Sequence, residues 1–196
     1  EGLYALDNSF TPQAVLCRSA QADESGLVWT FTLREGVTFS DGSPLTAADA
    51  ANALNTARRA DSRCYNRLAQ IQRVEAAGEH TLTVTLNSPN GALPALLDIP
   101  IYRDSGGGTV GTGPYVLGGT ADAPVLTARA DWWQDKTLPA EEIPLTPVYQ
   151  TEELIHAFDT REAGLVTADL TGTAALGYSA SYEVWDYPTT DMVYLC

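Results

Sequence analysis

The residues that invite a chemical reading are few. The run Gly106-Gly107-Gly108-Thr109-Val110-Gly111-Thr112-Gly113 resembles a phosphate-cradling loop only in its glycine content. Such a loop needs a lysine directly after the last glycine of its G-x-x-x-x-G frame, to balance phosphate charge. Here Gly111 is followed by Thr112, Gly113 and Pro114, and Lys136 is the only lysine in the chain. Pro114 also lacks the N–H that a phosphate nest uses. The run therefore reads as a connection between substructures, with no nucleotide role. The carboxylate pairs Glu141-Glu142 and Glu152-Glu153 are adjacent in sequence. Neighbouring side chains on a helix or strand point apart, so neither pair makes an acid/base couple. His80 and His156 have no Ser or Cys in a nucleophile-elbow setting, and no G-x-S-x-G occurs. Cys17, Cys64 and Cys196 have no C-x-x-C spacing. Their odd number leaves room for one bridge at most, with its partners open, and they read as small buried thiols. No metal motif appears, and the expectation is a non-enzyme with no catalytic residue, no metal and no cofactor.

Four Trp and nine Tyr in 196 residues offer broad, rigid faces with polar handles. Such side chains build cores and also grip ligands without chemistry. The 25 acidic residues against 11 basic ones give a formal charge of −14. That field repels polyanions, which argues against nucleic acid and against an anionic membrane surface. No apolar run reaches the roughly 18 residues that a membrane helix needs. Residue 1 is Glu rather than Met, which fits a processing site or an internal boundary. The 44% hydrophobic content is that of a globular chain.

Alternation places a half-buried strand at Val28–Arg34, with Trp29, Phe31 and Leu33 on one side, and a second short strand at Val37–Ser40 closed by Asp41-Gly42. Thr46, with Asp49 three residues on and Pro44 just before, marks a helix start. Ala50, Ala53, Leu54 and Ala57 then recur at helical spacing. A weaker helix is expected over Arg67–Val74. Thr81–Leu86 is the clearest strand, with Leu82, Val84 and Leu86 facing a core. Ala92–Leu97 reads as an apolar helix or turn. Tyr115–Leu117 and Val125–Ala130 read as a hairpin followed by Trp132-Trp133. Leu145–Tyr149 reads as a strand, Glu152–Thr160 as a helix, and Glu183–Tyr187 and Met192–Leu195 as late strands. No repeat and no regular β-α alternation is present, so the class is mixed α+β.

Several segments together resemble one family. Trp29–Asp49, WTFTLREGVTFSDGSPLTAAD, is similar to the strand–turn–helix signature of the family 5 extracellular solute-binding proteins, the oligopeptide-, dipeptide- and nickel-type receptors of ABC importers. Glu1-Gly2-Leu3 resembles the family's "EGL" opening, and His80–Leu86 its "HTLTVTL" strand. Gly111–Tyr115 matches "GTGPY", Ala130–Trp133 resembles "NPDYW", and Glu153–Phe158 resembles the helix before "GEID". Where the family has "GEID", this chain reads Glu162–Asp169, which is longer and matches less well.

The resemblance implies a periplasmic-binding-protein-like type II lobe I with its small extra subdomain. Residues 6–110 would form that subdomain. Residues 1–5 and 111–196 would belong to the main sheet of the lobe, and the second lobe would be absent from this chain. It also implies a monomeric receptor that captures a peptide or related small molecule in an inter-lobe cleft. Cargo would be delivered to ABC permease transmembrane subunits, either in the periplasm or, lipid-anchored, at the extracellular face of the membrane. Nickel-chelate, sugar and opine receptors share the scaffold, so the ligand stays open. The rival reading is a non-catalytic bacterial surface interaction domain, and a hydrolase using distant carboxylates is a further alternative. By resemblance, the ligand-facing residues would be Tyr4, Tyr65, Arg67, Thr189, Thr190, Asp191 and Val193.

Overall fold

The structure is a computed structural model that describes residues 1–106, 108–166 and 177–184. The chain divides into two units. The first is Glu1–Pro114 with Arg129–Lys136, and the second is drawn from Tyr115–Ala128 and Thr137–Cys196. Residues 1–5 thus lie in the first unit.

The first unit opens with a hairpin of β1 (Tyr4–Leu6) and β2 (Pro12–Ala14), paired antiparallel from Tyr4↔Ala14 to Leu6↔Pro12. Asp7 organises its turn. One carboxylate oxygen accepts the N–H groups of Ser9 (2.8 Å) and Thr11 (3.0 Å), and the other accepts the Gln13 amide (2.9 Å). Four strands then form an antiparallel sheet in the order β3-β4-β6-β5: β3 (Cys17–Ala22), β4 (Val28–Leu33), β5 (Ile71–Ala76) and β6 (Thr81–Leu86). Period-2 alternation does the sorting. Phe31, Leu33, Leu82, Val84 and Leu86 are buried, while the Thr residues between them are more exposed.

Helix α1 (Ala47–Ala57) packs on β5 and β6 through Ala47, Ala50, Ala51, Ala53 and Leu54. Alanines at those positions let helix and sheet approach closely. Its start is fixed as the sequence predicts, since Asp49 accepts both the N–H (2.9 Å) and the hydroxyl (2.7 Å) of Thr46. A 3-10 turn at Leu93–Leu96 follows the sheet. The hairpin of β7 (Tyr102–Asp104) and β8 (Thr109–Gly111) then occupies much of the glycine-rich segment.

Two expectations fail in this unit. Residues 67–70 form turns, and Ile71–Ala76 is a strand, so no helix covers Arg67–Val74. The physical cause is a bulge. Ile71 pairs with Leu86 and Val74 with Val84, so three residues on β5 span two on β6. The extra residue sets the two buried apolar positions three apart, which imitates helical spacing. Val37–Ser40 makes only an isolated bridge, Thr38↔Pro44. The chain turns at once through Gly42, whose φ of 81° suits glycine.

In the second unit, β9 (Tyr115–Gly119), β10 (Pro124–Ala128) and β11 (Glu142–Pro144) form an antiparallel sheet in the order β11-β10-β9. Gly119 closes the β9–β10 turn at φ 82°, where an added Cβ would collide with the Ala123 carbonyl oxygen. The strand expected at Leu145–Tyr149 sits earlier, at Glu142–Pro144. Its partner β10 begins at Pro124, opposite Leu145, so the ladder has nothing further to pair with. Helix α2 (Thr151–Asp159) carries Glu152 and Glu153 in its first turn, as the helix dipole favours. Phe158 packs edge-on against Tyr178 at 4.7 Å and Tyr182 at 5.8 Å. The Asp159 carboxylate accepts the N–H groups of Ser179 and Ala180, each at 2.9 Å. Glu183 and Val184 are exposed and not in a strand, and residues 185–187 and 192–195 lie outside the described residues. Among the described residues every strand pair is antiparallel, which makes the fold mixed α+β.

Candidate functional site

Most of the segments that carried the resemblance lie in the first unit, while Glu153–Phe158 lies in the second. The Glu1 carboxylate accepts the Trp133 indole N–H at 2.6 Å and the Gln134 amide at 2.9 Å. Trp132 donates to the Thr112 carbonyl at 3.2 Å and meets Trp133 edge to face at 6.4 Å. Arg129 is buried, and its guanidinium donates to the carbonyls of Thr38 (3.2 Å), Phe39 (3.0 Å) and Gly113 (3.4 Å). These bonds join the opening segment, the Ser40 turn, the Gly-Thr-Gly-Pro stretch and the double tryptophan into one scaffold.

A second lock sits at the start of α1. Arg103 grips Asp49 through Nε and Nη2, at 2.9 and 2.8 Å, and donates through Nη1 to the Ser43 hydroxyl at 3.0 Å. Its guanidinium lies 4.7 Å from the centroid of the Phe39 ring. Burial opposes ionisation of Asp49, but hydrogen bonds from Arg103 and Thr46 outweigh it and hold its carboxyl below the ordinary value.

The sequence-expected site residues fall in different places. Tyr4 is a core residue. Its ring packs edge-on against Phe31 at 6.3 Å, and its hydroxyl donates to the Cys17 sulfur at 3.3 Å. Burial, then the contact with Cys17, pushes its hydroxyl well above the usual tyrosine range. Burial likewise pushes the Cys17 thiol up. Cys17 and Cys64 are both free thiols. Tyr65 is 45% exposed, in the turns that precede β5. Arg67, two residues on, pairs with Asp98 and donates to the Ala95 carbonyl at 3.3 Å. Tyr65 and Arg67 therefore share one segment, and Tyr4 belongs to the interior. Thr189, Thr190, Asp191 and Val193 lie outside the described residues.

One groove went unnoticed in the sequence. Gln13, Val15, Arg34, Trp133, Gln134 and Lys136 line it, and its volume is about 380 Å³. Arg34 donates through Nε to the Val15 carbonyl at 2.7 Å, and its guanidinium lies 5.9 Å from the centroid of the Trp133 ring. These residues come from three separated stretches of chain, so no local motif announces them.

An α+β scaffold of this kind superposes on one lobe of the type II periplasmic binding proteins. The crystal structure of NikA from Brucella suis in complex with Fe(III)-EDTA matches with a TM-score of 0.67 at 24% identity, covering 83% of this chain and 36% of that one. The model for the bacterial extracellular solute-binding proteins, family 5 (middle region) matches residues 11–196, and the chain belongs to that family. The glutathione-binding protein GsiB of Salmonella typhi is 29% identical over 199 residues, 93% of this chain and 37% of the relative. Protein XP55 of Streptomyces lividans is 32% identical over 152 residues, 69% of this chain and 28% of the relative. The matched region thus covers 37% of the length of GsiB and 28% of that of XP55.

Proposed function

We propose that this chain serves in the substrate-binding protein of an ABC importer, which captures a peptide or related small solute in an inter-lobe cleft and hands it to a membrane permease. The observation that carries the reading is the family match from residue 11 to residue 196. In this reading no bond is made or broken. Ligand contacts made by both lobes exist only in the closed form, so binding shifts the population toward closure. A peptide is held by main-chain hydrogen bonds, while its side chains occupy wet, tolerant pockets. The name of one relative specifies glutathione, which makes a short peptide the first ligand to try.

Ligand-facing positions in this reading are Tyr65 and Arg67, with Thr189, Thr190, Asp191 and Val193. The exposure of Tyr65, and the anchoring of Arg67 two residues on by Asp98 and the Ala95 carbonyl, support the first two. The protein works outside the cytoplasm, in the periplasm or lipid-anchored at the outer face of the membrane, and as a monomer. Native mass spectrometry of the protein as its cells express it, mixed with glutathione and a set of di- to pentapeptides, tests the reading. The expected result is a one-to-one complex that releases its peptide with unchanged mass. Release of a cleaved or modified peptide would point to an enzyme. Retention of no peptide would favour the surface interaction domain instead.

A further inference from the structure

We propose that the groove beside β2 is a binding site for a small organic carboxylate. Two cations, Arg34 and Lys136, line it in a chain where acidic residues outnumber basic ones by 25 to 11. Neither has a carboxylate within 4.0 Å among the described residues, whose ion pairs all involve other cations. Cations that share a groove repel each other, and an anion placed between them reverses the sign of that interaction.

The rest of the groove is prepared for such a ligand. Arg34 uses Nε to hold the Val15 carbonyl, which orients the guanidinium and leaves both Nη groups without a partner among the described residues. A planar fork of this kind meets a carboxylate in two parallel hydrogen bonds. Lys136 adds an exposed ammonium. Two carboxylates bond the groove's own residues: Asp7, which accepts the Gln13 amide and the N–H groups of Ser9 and Thr11, and Glu1, whose two oxygens are taken by Trp133 and Gln134. That pair of bonds also fixes the indole, so Trp133 presents a rigid apolar wall. The side-chain amides of Gln13 and Gln134 can donate to or accept from an amide group on the ligand. The chemistry that fits is an acylated amino acid: a carboxylate head, an amide, and a flat or apolar tail. The volume of about 380 Å³ lies in the range of small-molecule sites.

The test titrates the 196-residue chain with hippurate (N-benzoylglycine) and with hippuramide, its neutral amide. The NMR signal of the Trp133 indole N–H, assigned with Trp133→Phe, reports occupancy. Hippurate should bind with a dissociation constant of about 1 mM or tighter, about tenfold tighter than hippuramide. Lys136→Gln removes an exposed ammonium that has no bonding partner among the described residues and should weaken hippurate about fivefold without moving the melting temperature. Arg34→Lys keeps the charge but loses the fork and should weaken it about tenfold. The site does not exist if hippurate and hippuramide bind equally, if neither moves the indole signal at about 10 mM, or if Lys136→Gln leaves the affinity unchanged. Failure here leaves the solute-capture reading intact, because that reading rests on the family match.

Discussion

The two units of this chain treat apolar side chains in opposite ways. In the first, Phe31, Leu33, Phe39, Leu54, Leu82 and Val84 are essentially inaccessible. In the second, Ala157 is the one fully buried hydrophobic residue among those described, while Leu117 is 65%, Leu165 77% and Tyr149 82% exposed. The first unit closes a sheet on one side with a helix of small residues, so its alternating strands find a core. The second presents a three-stranded sheet and an amphipathic helix whose Leu154, Ile155 and Phe158 are only partly covered. Local stability follows buried apolar contact. The first unit is a finished hydrophobic body, and the second is a set of faces.

Substitutions that probe this contrast should fall in a definite order. Phe31 stacks on Trp29 at 5.8 Å and touches Tyr4, so Phe31→Ala should cost about 3–5 kcal/mol in urea unfolding of the first unit. Next comes the lock at the helix start, where Asp49→Asn should cost about 1–3 kcal/mol. The effect depends on pH. The folded Asp49 carboxyl titrates below its unfolded value of about 3.9, so its contribution is complete above that pH. It fades as the pH falls through the lower folded value. Melting curves from about pH 7 down to about pH 2 should therefore converge for Asp49→Asn and the parent at the acid end.

Tyr4→Phe removes one buried hydrogen bond to sulfur and should cost about 1 kcal/mol. The same variant should leave peptide affinity untouched, and a loss of affinity would return Tyr4 to the ligand-facing set. Smallest of all, Leu117→Ser should change stability by no more than about 0.5 kcal/mol, since its side chain has little contact to lose.

Much of the first unit could be read from residue order alone. Thr81–Leu86 and Val28–Leu33 alternate because each has one wet and one dry face, and α1 declared itself through Thr46, Asp49 and its alanines. The β5 bulge hid a strand behind helical spacing, and β11 was misplaced because its limit is set by Pro124 of another strand. Both errors come from pairing partners that local pattern cannot see. The site was less legible still. The groove draws on residues near positions 13, 34 and 134, and only the folded chain brings them together. Tyr4 looked like a cleft residue from its place beside the opening segment, yet its neighbours Cys17 and Phe31 put it in the core.

Residue-resolved hydrogen exchange of the intact chain tests the contrast most directly. Amides of Phe31, Leu82 and Val84 should exchange only through global unfolding of their unit, while those of β9, β10 and β11 should exchange at least about a hundredfold faster. Equal protection across both sheets would contradict the division into a finished core and an open face.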